Sequence, residues 1–287
     1  MNISITGTLG SGKSSVCAVL EKHGYSTISN GVLFREIAKE KGITVVELNE
    51  LAKTDKSIDK MLDDRSIRLG KERENTIFDS RMGWHFIPDS FKVFLFANMN
   101  EAARRVYAAD RISEAYQSEL DAKADLIKRQ LLEKERFFSL YGVDYLDLHN
   151  YDLVIESTSA SPEQVAEKIL ETLAEYHKDK QTMLLNPTSI YPSETASAIT
   201  KEELEKAMEG GLSEPIQIGL IQNNFCVLKG DCRLLSSILK KETFLSVNYQ
   251  KAAEGNLPDS DLLEKFETLG EFTYKIRPEA DAPAIFC

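Results

Sequence analysis

The sequence predicts an α/β fold in which helices cover both faces of a parallel sheet, followed by a smaller α+β domain. Strand patterns alternate with helical patterns through the first part of the chain, which is typical of a parallel sheet. Residues 92–96 are apolar enough for a strand buried on both faces. The 287 residues suffice for two domains, and the polar segment 178–182 is the predicted linker. We expect one domain over residues 1–178 and a second over residues 184–287.

The elements of the first domain follow from hydrophobic periodicity and from helix-ending residues. A short β-branched strand opens the chain, and Gly24 ends the helix that follows it. Gly42 ends a second helix, and Pro162 begins the last one, where its missing N–H costs nothing. The predicted helices are residues 13–23, 32–41, 45–53, 58–72, 101–107, 120–141 and 162–177, and the later strands are residues 25–29, 76–79, 92–96 and 151–156.

The second domain is predicted to mix helices and strands. Asn223 and Asn224 form a turn between two of its strands. The predicted helices are residues 200–208 and 233–240, and the predicted strands are residues 215–220, 225–228 and 244–249.

A phosphate-binding loop follows the opening strand. The motif Gly-x-x-x-x-Gly-Lys-Ser lies between that strand and an apolar helical pattern, which is the context it requires. Its glycines let backbone N–H groups surround an anion, and the N-terminal end of the helix adds positive field. Lys13 would reach the β- and γ-phosphates of ATP, and Ser14 would offer a hydroxyl to Mg²⁺. The predicted nucleotide-binding residues are Gly7, Gly10, Ser11, Gly12, Lys13, Ser14 and Ser15.

Arginines outside this loop are the candidates for binding further phosphate groups, because phosphoryl transfer requires mainly alignment and charge neutralisation. Arg35 and Arg81 follow loops at the carboxyl ends of strands, where open α/β sheets bind ligands. A solvated surface position is the alternative for both. Further candidates lie around a polar hinge at residues 112–119, namely Arg104, Arg105 and Arg111, and on one face of the next helix, namely Arg129 and Arg136. Pairing with acidic residues four positions away would explain many of these equally well.

Asp79 ends a buried strand that points toward the phosphate loop. A carboxylate there could hold Mg²⁺ or its water ligands. Capping of the turn before Ser80 is the alternative.

Composition excludes several classes of partner. Acidic residues outnumber basic ones 46 to 35, and the net charge is −11, so a nucleic-acid polymer is not expected as a partner. No apolar run could span a bilayer, and the chain opens with a strand instead of a secretory signal. Four cysteines without C-x-x-C spacing argue against a zinc site and a disulfide framework. Reduced thiols in the cytoplasm are the simplest expectation.

Five segments of the first domain carry a resemblance to a known family. They are the phosphate loop at 3–16, Ser-Asn-Gly-Val-Leu-Phe-Arg-Glu-Ile-Ala-Lys-Glu-Lys-Gly at 29–42, Asp-Lys-Ser-Ile-Asp-Lys-Met-Leu-Asp-Asp-Arg at 55–65, Asp-Ser-Arg-Met-Gly-Trp at 79–84, and Leu-Tyr-Gly-Val-Asp-Tyr-Leu-Asp-Leu-His-Asn-Tyr-Asp-Leu-Val-Ile at 140–155. In this order they resemble the cytidylate kinase-like nucleoside monophosphate kinases, in their archaeal form. The family commonly has Glu-Gly-Arg where this chain has Asp79-Ser80-Arg81, which leaves the base preference open.

The resemblance implies a fold and a set of roles. It implies a P-loop kinase sheet, an acceptor-binding helical insertion at about 29–75 and a mobile lid at 104–118. Arg35 and Arg81 would hold the phosphate of the acceptor, and the arginines that close on the triphosphate would be Arg105, Arg111, Arg129 and Arg136. Arg65 and Asp79 are further candidate substrate-binding residues.

The second domain resembles the ParB/sulfiredoxin-like domain. That domain has a Gly-x-x-Arg phosphate loop opening a helix, matched here by Gly230, Asp231, Cys232 and Arg233. A helix N-terminus beside a guanidinium is suited to a nucleotide phosphate. A degenerate, purely structural version of the loop is the alternative, and Cys232 is then a buried, inert thiol.

Three functions are compatible with these features. The first is Mg²⁺-dependent transfer of the γ-phosphoryl group of ATP to a nucleoside monophosphate, with CMP or dCMP as the foremost acceptor. The second is the same transfer to a non-nucleotide metabolite, suggested by the altered acceptor loop. The third is a nucleotide-binding regulatory module with little turnover. Nucleotides are the expected partners in each case, and the sequence does not predict an oligomeric state.

Overall fold

A nine-stranded sheet runs through the part of the chain that the structure, a computed structural model, describes: residues 1–52, 54–109, 116–178, 180–193, 199–209, 215–250 and 257. Its strands are β1 (Ile3–Gly7), β2 (Ser26–Ser29), β3 (Thr76–Asp79), β4 (Phe91–Phe96), β5 (Leu153–Glu156), β6 (Thr182–Leu185), β7 (Ile216–Ile221), β8 (Asn224–Lys229) and β9 (Leu245–Gln250). Their order across the sheet is β2-β3-β1-β4-β5-β6-β9-β7-β8.

The pairing changes from parallel to mixed along this order. Every neighbouring pair from β2 to β6 is parallel. β9 then pairs antiparallel with β6, β7 pairs parallel with β9, and β8 pairs antiparallel with β7. The predicted α/β fold with a mostly parallel sheet is therefore confirmed.

Ten α-helices surround the sheet in the described residues. They are α1 (Lys13–Glu21), α2 (Asn30–Lys41), α3 (Val45–Ala52), α4 (Ser57–Glu72), α5 (Gly83–Phe86), α6 (Met99–Ala108), α7 (Glu119–Tyr141), α8 (Pro162–Ala174), α9 (Lys201–Met208) and α10 (Asp231–Leu239), with short 3-10 helices at Leu148–Asn150 and Pro187–Ser189. Local capping explains several boundaries. Gly42 and Gly142 end α2 and α7 in the left-handed conformation, and Ser161 forms a capping box with Gln164 at the start of α8. None of the described helices is both long and apolar enough to cross a membrane.

The core divides between the two faces of the sheet. Val93 and Leu95 of β4 pack on one face in a cluster with residues of α1 and α8. Phe94 and Phe96 alternate with them and pack on the other face, as the two-residue period of a strand requires. That second cluster also contains Leu185 and Ile218, so the core under β4 continues beneath the C-terminal strands.

The predicted linker ends in a strand. Thr182 begins β6, and its N–H donates to the carbonyl of Asp152 at 2.8 Å. β6 was absent from the predicted elements, as was the short helix α5. The division into domains at residues 178 and 184 stays a prediction, and residues 258–287 of the predicted second domain lie outside the described part.

Replacing Leu185 by alanine should destabilise the chain by about 2–5 kcal/mol, because its side chain is fully buried in the core that both predicted domains share. Unfolding in urea, followed through the fluorescence of the single tryptophan, Trp84, measures the loss. Trp84 lies in the same core cluster, so its unfolding midpoint should fall with the substitution.

Leu228→Ala is the matched control, because this leucine of β8 is 37% exposed and its loss should cost no more than about 1 kcal/mol. An unchanged Trp84 transition in Leu185→Ala, beside a second transition that does move, would mean that the two parts unfold independently.

Candidate active site

The phosphate loop connects β1 to α1, and its glycines are required by geometry. A Cβ atom at Gly7 would lie 1.9 Å from the carbonyl oxygen of Leu95 on β4. Gly10 and Gly12 have φ angles of 74° and 84°, in the left-handed region that favours glycine. A Cβ at Gly10 would also come within 2.8 Å of the backbone of Ala102 on α6. The loop is therefore fitted tightly between β4 and α6.

Hydrogen bonds fix the loop and leave the helix end open. Ser11 Oγ donates to the carbonyl of Thr8 at 2.7 Å, and Ser157 Oγ donates to the carbonyl of Ser11 at 2.8 Å. No side chain of the described residues caps α1 at Gly12. The first N–H groups of α1 are consequently available to an anion.

Lys13 lies in a strongly charged environment. Burial and, to a smaller extent, the nearby charge of Arg81 lower the pKa of its ammonium to about 7, against the opposing effect of the carboxylates of Asp79 and Glu133. An anion bound beside Lys13 would stabilise the protonated ammonium and raise its pKa again. Lys13, Arg81 and Asp79 are thus brought together at the carboxyl edge of the sheet, where open α/β sheets bind their ligands.

Arg81 is held by a carboxylate on α7. Its Nε donates to Glu133 Oε2 at 2.8 Å, and the hydroxyl of Tyr145 donates to the same oxygen at 3.4 Å. Burial, the largest effect, opposes the charge of Arg81, but Glu133 together with Tyr145 and Asp79 raises the pKa of the guanidinium above its ordinary value. Thr6 Oγ1 fixes the preceding turn by donating to the carbonyl of Ser80 at 3.0 Å. The contact with Glu133 uses Nε, so the two terminal nitrogens keep their capacity to donate to a phosphate.

Arg105 lies beside the phosphate loop. Its Nε donates to Glu101 Oε1 at 2.8 Å, and its Nη2 donates to the carbonyls of Ser157 and Thr158 at 2.7 and 3.1 Å. A Cβ at Gly12 would be 3.7 Å from Arg105 Nη1. A cavity of about 400 Å³ opens here, lined by Gly12 and Ser15, by Arg104 and Arg105 of α6, and by residues 157–162. Its volume is in the range of small-molecule sites.

Other predicted arginines contact acidic side chains. Arg65 Nη2 donates to both carboxylate oxygens of Glu40, at 2.8 and 2.6 Å, and Nη1 donates to Glu36 at 3.4 Å. Arg104 forms an ion pair with Glu101, and Arg129 lies 3.7 Å from Asp125 four positions away. Arg35 is exposed, and Arg111 lies outside the described residues. The roles predicted for these residues stay predictions.

Arg136 belongs to a contact between α7 and the helical insertion. Its Nη2 donates to Asp59 Oδ1 of α4 at 2.6 Å. One helical turn further along α4, Asp63 accepts a hydrogen bond of 2.9 Å from the hydroxyl of Tyr141. Burial raises the pKa of Asp63 to about 6, although this hydrogen bond lowers it. The insertion and α7 are thereby joined beside the site.

Sequence reasoning missed three residues that shape this site, namely Glu101, Glu133 and Ser157. Ser157 follows β5 directly, and its place at the carboxyl end of a parallel strand was a usable signal. Glu101 and Glu133 belong to charged helices in which local pairing explains acidic residues equally well. Only the packing of α6 and α7 against the sheet singles these two out.

The predicted second phosphate loop has partners within the chain. The carboxylate of Asp231, at the start of α10, accepts hydrogen bonds from the N–H and the hydroxyl of Ser193 at 2.7 and 2.5 Å. Arg233 forms an ion pair with Glu242 at 3.4 Å. Cys232 is half-buried and not fully buried as predicted, and partial burial still raises the pKa of its thiol, which favours an unreactive, protonated sulfur. A phosphate-binding role for Gly230, Asp231 and Arg233 stays a prediction.

Comparison with known proteins places the first part of the chain in a family. The profile of the cytidylate kinase-like family matches residues 2–159. A cytidylate kinase of Sulfolobus acidocaldarius is 39% identical over 178 residues, which are 61% of this chain and 94% of that protein. A cytidylate kinase of Methanobrevibacter smithii is 34% identical over 175 residues, which are 60% of this chain and 98% of that protein.

Among solved structures, the shikimate kinase of Bacteroides thetaiotaomicron superposes with a TM-score of 0.44 at 17% identity, over 61% of this chain and 99% of that one. A likeness this weak says nothing about a substrate. The family profile covers more than half of the sequence, and the relatives match over nearly their whole length. The chain therefore belongs to the cytidylate kinase-like family.

Proposed function

We propose that the chain is a nucleoside monophosphate kinase that transfers the γ-phosphoryl group of ATP to CMP or dCMP. The observation that carries the proposal is the proximity of two cationic side chains, Lys13 and Arg81. They lie close enough for Arg81 to lower the pKa of Lys13. Two adjacent cations suit a reaction that brings two anionic substrates together. The relatives named cytidylate kinase support the choice of a cytidine acceptor.

The donor occupies the phosphate loop in this proposal. The loop amides and Lys13 bind the β- and γ-phosphates, and the open N-terminus of α1 adds its field. The nucleoside of ATP enters the cavity between residues 157–162 and Arg105. Arg105, Arg111, Arg129 and Arg136 are the proposed sources of further positive charge around the triphosphate.

The acceptor lies on the side of Arg81. We assign the terminal nitrogens of Arg81 to the phosphate of the acceptor, together with Arg35 and Arg65. One phosphate oxygen of CMP attacks the γ-phosphorus, and the bond from that phosphorus to the bridging oxygen breaks, leaving ADP and CDP. No general base is required, because the attacking oxygen is already an anion.

Mg²⁺ fits the oxygen groups beside the loop. Ser14 is exposed at the first turn of α1, and Asp79 ends β3 with a half-buried carboxylate. No group of three or more His, Cys, Asp or Glu side chains in the described part of the chain could hold a metal ion alone, which fits a cation bound largely by phosphate oxygens and water. When bound, Mg²⁺ neutralises charge on the β- and γ-phosphates. We assign Ser14 and Asp79 as its protein partners.

Residues 184–287 remain a proposed ParB/sulfiredoxin-like region. The partners of Asp231 and Arg233 support the structural alternative for its loop. The cytoplasm, which supplies both nucleotides and keeps thiols reduced, is the proposed compartment.

Lys13→Ala should reduce turnover by about 100- to 1,000-fold, because it removes a cation aimed at the charge that develops during transfer. The measurement is a coupled assay of ADP release with ATP, Mg²⁺ and each nucleoside monophosphate in turn, in which CMP and dCMP should give the highest rates. Lys39→Ala, on the exposed side of α2, is the matched control. If no nucleoside monophosphate raises ADP release above its basal rate, the proposal is wrong, and a screen of phosphorylatable metabolites separates the two remaining functions.

Arg81→Lys should raise the KM for CMP by about 10-fold or more while changing the KM for ATP little, because lysine cannot reproduce the planar fork that contacts Glu133 and a phosphate together. Initial rates with each substrate varied in turn measure both constants. Arg68→Lys, an exposed arginine paired with Glu72 on α4, should leave both constants unchanged. An equal rise in the two KM values would place Arg81 outside the acceptor site.

ATP binding should take up a proton above neutral pH. In the free protein the pKa of Lys13 is about 7, so the amine is largely uncharged at about pH 8, and the bound triphosphate raises its pKa again. Uptake should approach one proton near pH 8 and vanish near pH 6, where Lys13 is already charged. Calorimetry in two buffers with different ionisation enthalpies measures it. Lys13→Met should abolish the uptake, and equal uptake in this variant would contradict the assignment.

A further inference from the structure

A buried carboxylate joins the donor site to the C-terminal part of the chain. Glu156, the last residue of β5, is 2% exposed. Its Oε2 accepts the N–H of Asn186 at 3.0 Å, and its Oε1 accepts the hydroxyls of Ser189 and Thr158 at 2.7 and 2.5 Å. A carboxylate removed from water needs such donors. Two of these three come from beyond β6.

Asn186 organises this contact with its side chain. Its Nδ2 donates to Ser159 Oγ at 2.5 Å. Its Oδ1 accepts the N–H and the hydroxyl of Thr188, both at 2.9 Å, and so caps the short helix Pro187–Ser189 that presents Ser189 to Glu156. One amide therefore fixes both Ser159 and the position of Ser189.

The segment that these residues hold is one wall of the donor site. Ser157 contacts the phosphate loop through Ser11, and the carbonyls of Ser157 and Thr158 both accept from Arg105. Residues 157–162 also line the cavity beside Gly12. A displacement of this segment would move the arginine and the cavity wall together.

Two of the three donors to Glu156 lie outside the part of the chain that the family profile matches. The family profile ends at residue 159, and Asn186 and Ser189 follow it on the far side of α8 and β6. β6 is itself held between β5 and β9. The C-terminal strands and the donor site thus meet at one buried network.

We propose that Asn186 and Ser189 are positioning residues for ATP, through which the C-terminal part of the chain sets the affinity of the donor site. They act by holding residues 157–159, and these hold Arg105 and the phosphate loop. The inference rests on the proposed function for the identity of the nucleotide. According to this inference, residues beyond the family profile change the affinity for ATP but not the affinity for the acceptor.

Asn186→Ala and Ser189→Ala in the full chain test this role. Each should raise the Kd and the KM for ATP by about 5- to 20-fold, the factor expected when a buried polar contact is lost, and should leave the KM for CMP within about 2-fold. Ser189→Thr retains the hydroxyl and should keep the affinity for ATP. Asn248→Ala and Ser246→Ala are matched controls, because both side chains are exposed on β9 of the same part, and neither should change any of these constants.

Calorimetric titration with ATP gives the Kd without requiring turnover, and thermal unfolding of each variant runs beside it. An unchanged Kd for ATP in both alanine variants overturns the inference. A rise in both KM values together, with a lower unfolding midpoint, also overturns it, because it shows a general loss of structure. If the wild-type chain binds ATP but does not phosphorylate CMP, the proposed function fails, and the comparison of Kd values still decides the role of Asn186 and Ser189.

Discussion

The carboxyl edge of the sheet must keep Lys13 and Arg81 close together, and most of the site serves this electrostatic constraint. Burial of Lys13 and, after it, repulsion by the neighbouring Arg81 lower the pKa of Lys13 to about 7. Asp79 and Glu133 supply compensating negative charge from β3 and α7. β1 and β3 are paired neighbours, and Glu133 of α7 accepts a hydrogen bond from Arg81 just after β3, so the positions of these groups follow from the order of the strands and from the placement of α7. The site is thus suited to phosphate, whose charge would relieve the repulsion.

Local patterns in the sequence predicted most of the fold. β3 has the predicted boundaries, and the other predicted elements lie within a few residues of theirs, because periodicity and helix caps are short-range properties. β6 was missed because it is four residues long, follows a polar segment and precedes Asn186-Pro187, a pattern that equally favours a domain boundary. A strand this short is stabilised by hydrogen bonding to its neighbours β5 and β9. A local sequence pattern contains no information about this pairing.

The part of the candidate site that is formed by one contiguous motif could be predicted from the sequence. The part that depends on contacts between side chains distant in sequence could be predicted less well. The phosphate loop follows from its glycines and from the flanking strand and helix. The contact of Arg65 with Glu40 joins residues on two helices, and the contact of Arg81 with Glu133 spans more than fifty positions. Which acid an arginine meets depends on how helices pack across the sheet. Charge patterns along one helix do not contain this information.

The antiparallel pairing of β6 with β9 also determines which strand forms the edge of the sheet on that side, where another chain could pair. Without β9, β6 would be an edge strand whose unpaired N–H and C=O groups could template association with another β-strand. The outer strand on this side is instead β8, and Tyr191 hydrogen-bonds to its middle through Phe225 and Val227. Within the described residues, the backbone groups at the middle of that margin are therefore already paired and unavailable to a further strand. The opposite margin of the described sheet is formed by the short polar strand β2, which gives a second molecule only four residues to pair with.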